Sequence, residues 1–107
     1  MVEKFFTPKE ANQILPEIKK IVNDIISNAH EAQGEVRVRS LITQLEDMGC
    51  YYKEWNFEIG LVDFPAIIHG QEALLCWRSD ESQVSWFHGF EDGYAGRRPI
   101  TKELIFS

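Results

Sequence analysis

The sequence is short of the residues that usually announce a function. It has two cysteines, Cys50 and Cys76, with no CxxC pair and no Cys/His spacing of a zinc finger. A disulfide scaffold is therefore excluded, and two buried thiols in a reducing compartment are expected. Long apolar runs are missing too. The start, MVEKFFTPKEANQ, carries neither a signal peptide nor a membrane helix, so a soluble cytoplasmic protein without membrane contact is expected. Positive charge is scarce: 11 Lys and Arg against 17 Asp and Glu leave a net charge of −6. That balance argues against coating extended nucleic acid by bulk electrostatics. Internal repeats and low-complexity linkers are absent.

What is present is a globular composition. Apolar residues at 44% and charged residues at 26% of 107 positions support one core, hence one domain over residues 1–107. Thr7-Pro8-Lys9-Glu10 reads as a helix start: a capping threonine, a proline at the first helical position and a glutamate that completes a capping box. Ala11, Ile14, Leu15, Ile18, Ile21, Val22, Ile25, Ile26 and Ala29 follow at three-four spacing. Pro16 interrupts the stripe and is expected to kink or restart the helix. A polar stretch, 27–34, turns the chain. Val38, Leu41, Ile42, Leu45 and Met48 form a second stripe, and Gly49 stands where a left-handed cap belongs. The spacing predicts an antiparallel helical hairpin, with one long bent helix over 8–48 as the alternative.

Beyond Gly49 the chain turns β-branched and aromatic. Strands are expected near 61–68, 72–78 and 83–88, with an edge strand around 51–57 and a last strand in the tail 100–106. The fold class is α+β: helices on one face of a three- to four-stranded antiparallel meander. Two-residue turns at His69-Gly70 and Asp80-Glu81 place Asp63 opposite Cys76 and Cys76 opposite Ser85. Val62, Phe64, Ala66, Ile68, Ala73, Leu75, Trp77, Val84 and Trp86 then face the helices. Leu61, Asp63, Pro65, Ile67, Leu74, Cys76, Arg78, Gln83, Ser85 and Phe87 face outward, with Arg78 diagonal to Asp63. The outward apolar residues predict an interface, most simply a homodimer, unless the tail covers them.

FTPKEANQILP, GLVDFPAIIHGQEALLCWR and WFHGFEDGYAGRRPI occur in that order. Together they resemble a small prokaryotic family, domain-of-unknown-function family 2203, over nearly the whole chain. The resemblance implies a shared pattern at Asp63, Trp77, Arg78, His88, Gly93, Gly96, Arg97 and Arg98, and supplies no activity or cofactor. Members of that family usually have a longer helical section.

Chemistry concentrates in HGFEDGYAGRRP, residues 88–99. Arg97 and Arg98 with Arg78, His88 and Tyr94 are the candidates for gripping an anionic, phosphate-bearing small molecule or a nucleic-acid segment. GYAG lacks the Lys-Ser/Thr end of a phosphate loop, and ion pairs that only pin the loop are the competing outcome. His88, Glu91 and Asp92, with Asp63, are candidates for a metal or an acid–base site. The expected register sets Asp63 and His88 on opposite faces of the sheet, and leaves Cys76 with no histidine to activate it. Asp63, amid apolar neighbours, needs a partner, and Arg78 is the nearest on that register. The expectation is a binding module using the arginines. A metal-dependent or acid–base enzyme and a structural homo-oligomer are the alternatives, with catalytic residues unknown.

Overall fold

The computed structural model describes residues 4–54, 56 and 58–101. Thr7 caps the first helix as its sequence demands. Its hydroxyl accepts from the Glu10 N–H, and the Glu10 carboxylate accepts from the Thr7 N–H. Helix α1 runs Pro8–Ala29 and passes through Pro16 without restarting. Pro16 is on the exposed side, where its ring meets solvent and not the sheet. Helix α2 spans Glu35–Asp47, so the hairpin and not the single long helix forms. The connection is tight at Gly34, where a Cβ would lie 1.8 Å from the Asn28 carbonyl oxygen. Gly49 ends α2 with φ +93°, the left-handed conformation expected there.

Five strands follow: β1 Tyr51–Glu54, β2 Gly60–Ile68, β3 Gln71–Arg78, β4 Trp86–Gly89 and β5 Arg98–Pro99. They form one antiparallel meander in chain order. The sheet is thus wider than the three to four strands expected. Most of the predicted tail strand, 102–106, lies outside the described residues, as does any covering of the outer face by the tail.

The β2–β3 register is as expected. His69 and Gly70 both take positive φ, at 52° and 77°, and Asp63 pairs with Cys76. The β3–β4 register is not. Cys76 pairs with Trp86 and Leu74 with His88, because residues 79–85 make a longer connection than a two-residue turn at Asp80-Glu81. Side chains compete for that backbone. The Trp77 indole N–H donates to the Glu81 carbonyl, and the Arg78 N–H donates to the Glu81 carboxylate. Asn12 of α1 then takes both the N–H and the carbonyl of Val84, and Lys19 reaches the Ser82 carbonyl.

A shift of one residue exchanges the faces of a strand. Phe87 therefore turns to the helices, while Trp86 and His88 turn outward. Val84 still enters the core, but from the connection. The core proper is Leu15, Ile18, Val22, Ile25, Leu41 and Leu45 against Val62, Phe64, Leu75 and Trp77. The outward face is less open than expected: Leu61, Pro65 and Leu74 are buried, and Ile67 is exposed. No helix among the described residues is long and apolar enough to cross a membrane.

Candidate metal centre

The exchanged face of β4 brings together what the expected register kept apart. Asp63 and His88 point to the same side of the sheet, and Nε2 of His88 lies 3.4 Å from Oδ1 of Asp63. They belong to the strands flanking β3, and they meet over Cys76, whose side chain is small. One donor atom from each of Asp63, Cys76 and His88 lies within 4.8 Å of the others. All three residues are buried, at 3%, 1% and 2% exposure.

Hydrogen bonding fixes what each donor presents. Nδ1 of His88 lies 2.8 Å from the Gly89 carbonyl oxygen. A carbonyl only accepts, so Nδ1 carries the proton and Nε2 faces Asp63. A bare Nε2 lone pair and a carboxylate oxygen at 3.4 Å repel each other unless a proton or a cation lies between them. The other carboxylate oxygen, Oδ2, is 3.6 Å from the ammonium of Lys53 on β1, a side chain largely in solvent. Arg78 is not the partner of Asp63. It turns away to Asp80, which it grips through two nitrogens at 2.6 and 2.9 Å.

Burial pushes the Cys76 thiol up to about 12, and the Asp63 carboxylate adds to the shift. Cys76 is therefore a neutral thiol when no cation is present. A cysteine nucleophile needs a histidine free to take its proton and a carboxylate behind that histidine. Here Asp63 occupies the nitrogen that would serve as the base, and Nδ1 is tied to a carbonyl. The arrangement is wrong for nucleophilic catalysis. It suits metal ligation better: one imidazole nitrogen, one carboxylate oxygen and one sulfur lie within 4.8 Å of one another.

The closing loop forms a different structure. Arg97 is held at 9% side-chain exposure. Its Nη2 donates to the Glu81 carboxylate at 2.7 Å and to the Cys76 carbonyl at 3.1 Å. The guanidinium lies 4.7 Å from the Tyr94 ring centre and 5.0 Å from that of Trp86. Arg78 also donates to the Tyr94 hydroxyl, at 2.7 Å. Arg98 is elsewhere, exposed over the Phe87 ring and 3.7 Å from Asp92. The three arginines therefore do not line one pocket, and an anion would have to displace Glu81 from Arg97 and Asp80 from Arg78. Asp92 accepts from the Gly89 N–H and is not part of the Asp63–Cys76–His88 group, nor is the exposed Glu91.

The place of Cys76 beside His88 and that of Lys53 as the second partner of Asp63 escaped the sequence. A trace of the site was visible there, since the β2–β3 register sets Asp63 opposite Cys76. Residues 27–100 match the family described as "Uncharacterized conserved protein (DUF2203)", a span that holds all three donors. No curated protein and no solved structure matches the chain.

Proposed function

We propose, from the premise that this chain belongs to the DUF2203 family of uncharacterized conserved proteins, that it is a metal-binding domain. It takes one divalent transition-metal ion of the zinc class through Asp63, Cys76 and His88. The observation that carries this is the convergence of three buried donors within 4.8 Å around a histidine whose second nitrogen is already engaged. Thiolate and imidazole suit zinc and disfavour magnesium and calcium, which take oxygen shells.

The ligands come from β2, β3 and β4, so the ion ties three neighbouring strands together. Binding requires the Cys76 thiol to lose its proton, and the positive charge of the ion makes that loss favourable in a buried site. The ion also removes the repulsion between the histidine lone pair and the carboxylate. The Gly89 carbonyl holds the imidazole in the ligating tautomer, and Lys53 holds the second carboxylate oxygen. Three protein donors leave a fourth tetrahedral position for a water or a small anion. Enclosure of the donors favours a role in the stability of the sheet over turnover of a substrate. The thiol needs a reducing compartment to remain available.

The test is titration of chelator-treated, reduced protein with Zn²⁺ and with Co²⁺. One equivalent is expected to bind. At a hundredfold excess over its Kd, zinc should stabilise the fold by roughly 2.7 kcal/mol, on the order of 10 °C in Tm. Cobalt should give thiolate-to-metal charge-transfer absorption. Both signals should disappear in Cys76→Ser and in His88→Ala. Wild-type protein that shows neither signal would leave the three residues as a proton-bridged network, and the metal proposal would be wrong.

A further inference from the structure

A second candidate site lies on the opposite side of the sheet and does not depend on the metal centre. A cavity of about 230 Å³ opens where the last turns of α1 meet α2 and β1. Its walls are Ile25, Ile26, Val38, Ile42 and the Tyr52 ring, and the exposed Ala29, Glu54 and Asn56 stand at its mouth. Tyr52 and Glu54 are two apart on β1, so they share the helix-facing side of the sheet. The cavity is about half as large again as the roughly 150 Å³ apolar cavity that accepts benzene. It has room for one ring or a chain of about six carbons.

Three features give this apolar hollow a negative entrance. The Glu54 carboxylate has no ion-pair partner among the described residues. The wall from α1 is the last turn of a 22-residue helix, where unpaired carbonyls concentrate the negative end of the helix dipole. That turn carries no basic side chain, the usual neutralising device. The protein as a whole has a net charge of −6, which raises the local concentration of cations and repels anions. Tyr52 is half-buried beside Glu54, and its hydroxyl pKa is pushed up first by burial and then by that carboxylate. It remains a neutral hydrogen-bond donor.

We infer that this cavity is a binding site for a small organic ammonium ion. The apolar body fills the space between Ile25, Val38 and Ile42, and the ammonium group lies at the mouth against Glu54. A carboxylate of the same shape would meet Glu54 and the helix terminus with like charge. A neutral alcohol would fill the cavity but leave Glu54 unpaired.

The experiment is an NMR titration of the full chain with hexylammonium, hexanoate and hexanol at neutral pH. Saturable shifts are expected for hexylammonium, clustered at the methyl groups of Ile25, Ile26, Val38 and Ile42. Hexanoate should bind at least tenfold more weakly. Val38→Phe should fill the cavity and abolish the shifts with dispersion of the spectrum retained. Ala29→Trp obstructs the mouth without altering a buried position, and serves if Val38→Phe does not fold. Glu54→Gln should lower the hexylammonium affinity to that of hexanol. The inference is overturned if hexylammonium gives no saturable shifts, if hexanoate binds as tightly, or if an obstructed cavity binds as well as the open one.

Discussion

Nε2 of His88 and Oδ1 of Asp63 lie 3.4 Å apart on two strands that do not touch each other, with β3 between them. Both side chains are buried, and each is a polar partner to the other. Removing one partner leaves the other buried with one polar contact fewer, at a cost of about 1–3 kcal/mol. Asp63→Ala and His88→Ala should each lose on that order in urea unfolding with chelator present. The double variant should lose clearly less than their sum. Additive losses would mean that the two groups do not interact.

The arginines of the closing loop should separate sharply. The Arg97 side chain is largely enclosed, stacked on two rings and paired with Glu81. Arg97→Lys is expected to destabilise by about 1–3 kcal/mol, since an ammonium cannot reproduce the flat stack of the guanidinium on Tyr94 and Trp86. Arg98 is exposed and 3.7 Å from Asp92. Arg98→Ala should stay within about 0.5 kcal/mol of the parent. Thermal unfolding of the two variants side by side checks this. Equal effects would show that burial of Arg97 does not matter.

Pro16 lies inside a continuous α1 with its side chain exposed. It cannot donate to the Asn12 carbonyl, the bond an ordinary residue would make at that point. Pro16→Ala restores the donor and removes the ring clash, while giving back some freedom to the unfolded chain. A net gain of about 1–2 kcal/mol is expected from denaturant midpoints. A loss would show that the restriction Pro16 places on the unfolded chain outweighs the missing hydrogen bond.

The Cys50 thiol is pushed up to about 12 by burial, against an ordinary value of 9.0. Because the folded value is raised, the protonated fold is favoured below pH 9 and that advantage is lost as pH rises from about 9 towards 12. Stability should therefore fall over that window. At pH 8 Cys50 is a fully buried, protonated thiol, so its alkylation by iodoacetamide should proceed only at the rate of opening. Rapid labelling of folded protein would show that the thiol is not enclosed. Cys50→Ala should flatten the alkaline decline in part.

Local chemistry was enough to establish most elements of this protein from the chain alone. Thr7, Pro8 and Glu10 start α1 because their capping bonds are made within four residues. The apolar stripes set both helices, Gly49 stops α2, and His69-Gly70 sets the β2–β3 register, because each depends on neighbours in sequence. The arginine-rich loop was also conspicuous, but its role was not: Glu81 reaches Arg97 from sixteen residues away and neutralises it.

The tertiary structure decided the site. Asn12, seventy-two residues from Val84, helps hold the β3–β4 connection in a longer form than the sequence pattern predicts. That moves β4 by one residue, and one residue in a strand of period two exchanges inside for outside. On one register His88 faces the helices and Cys76 is a lone thiol. On the register that forms, Asp63, Cys76 and His88 share one buried point. A pattern of residue types carries the period of a strand but not its phase relative to a neighbour, and here the phase follows from side chains distant in sequence.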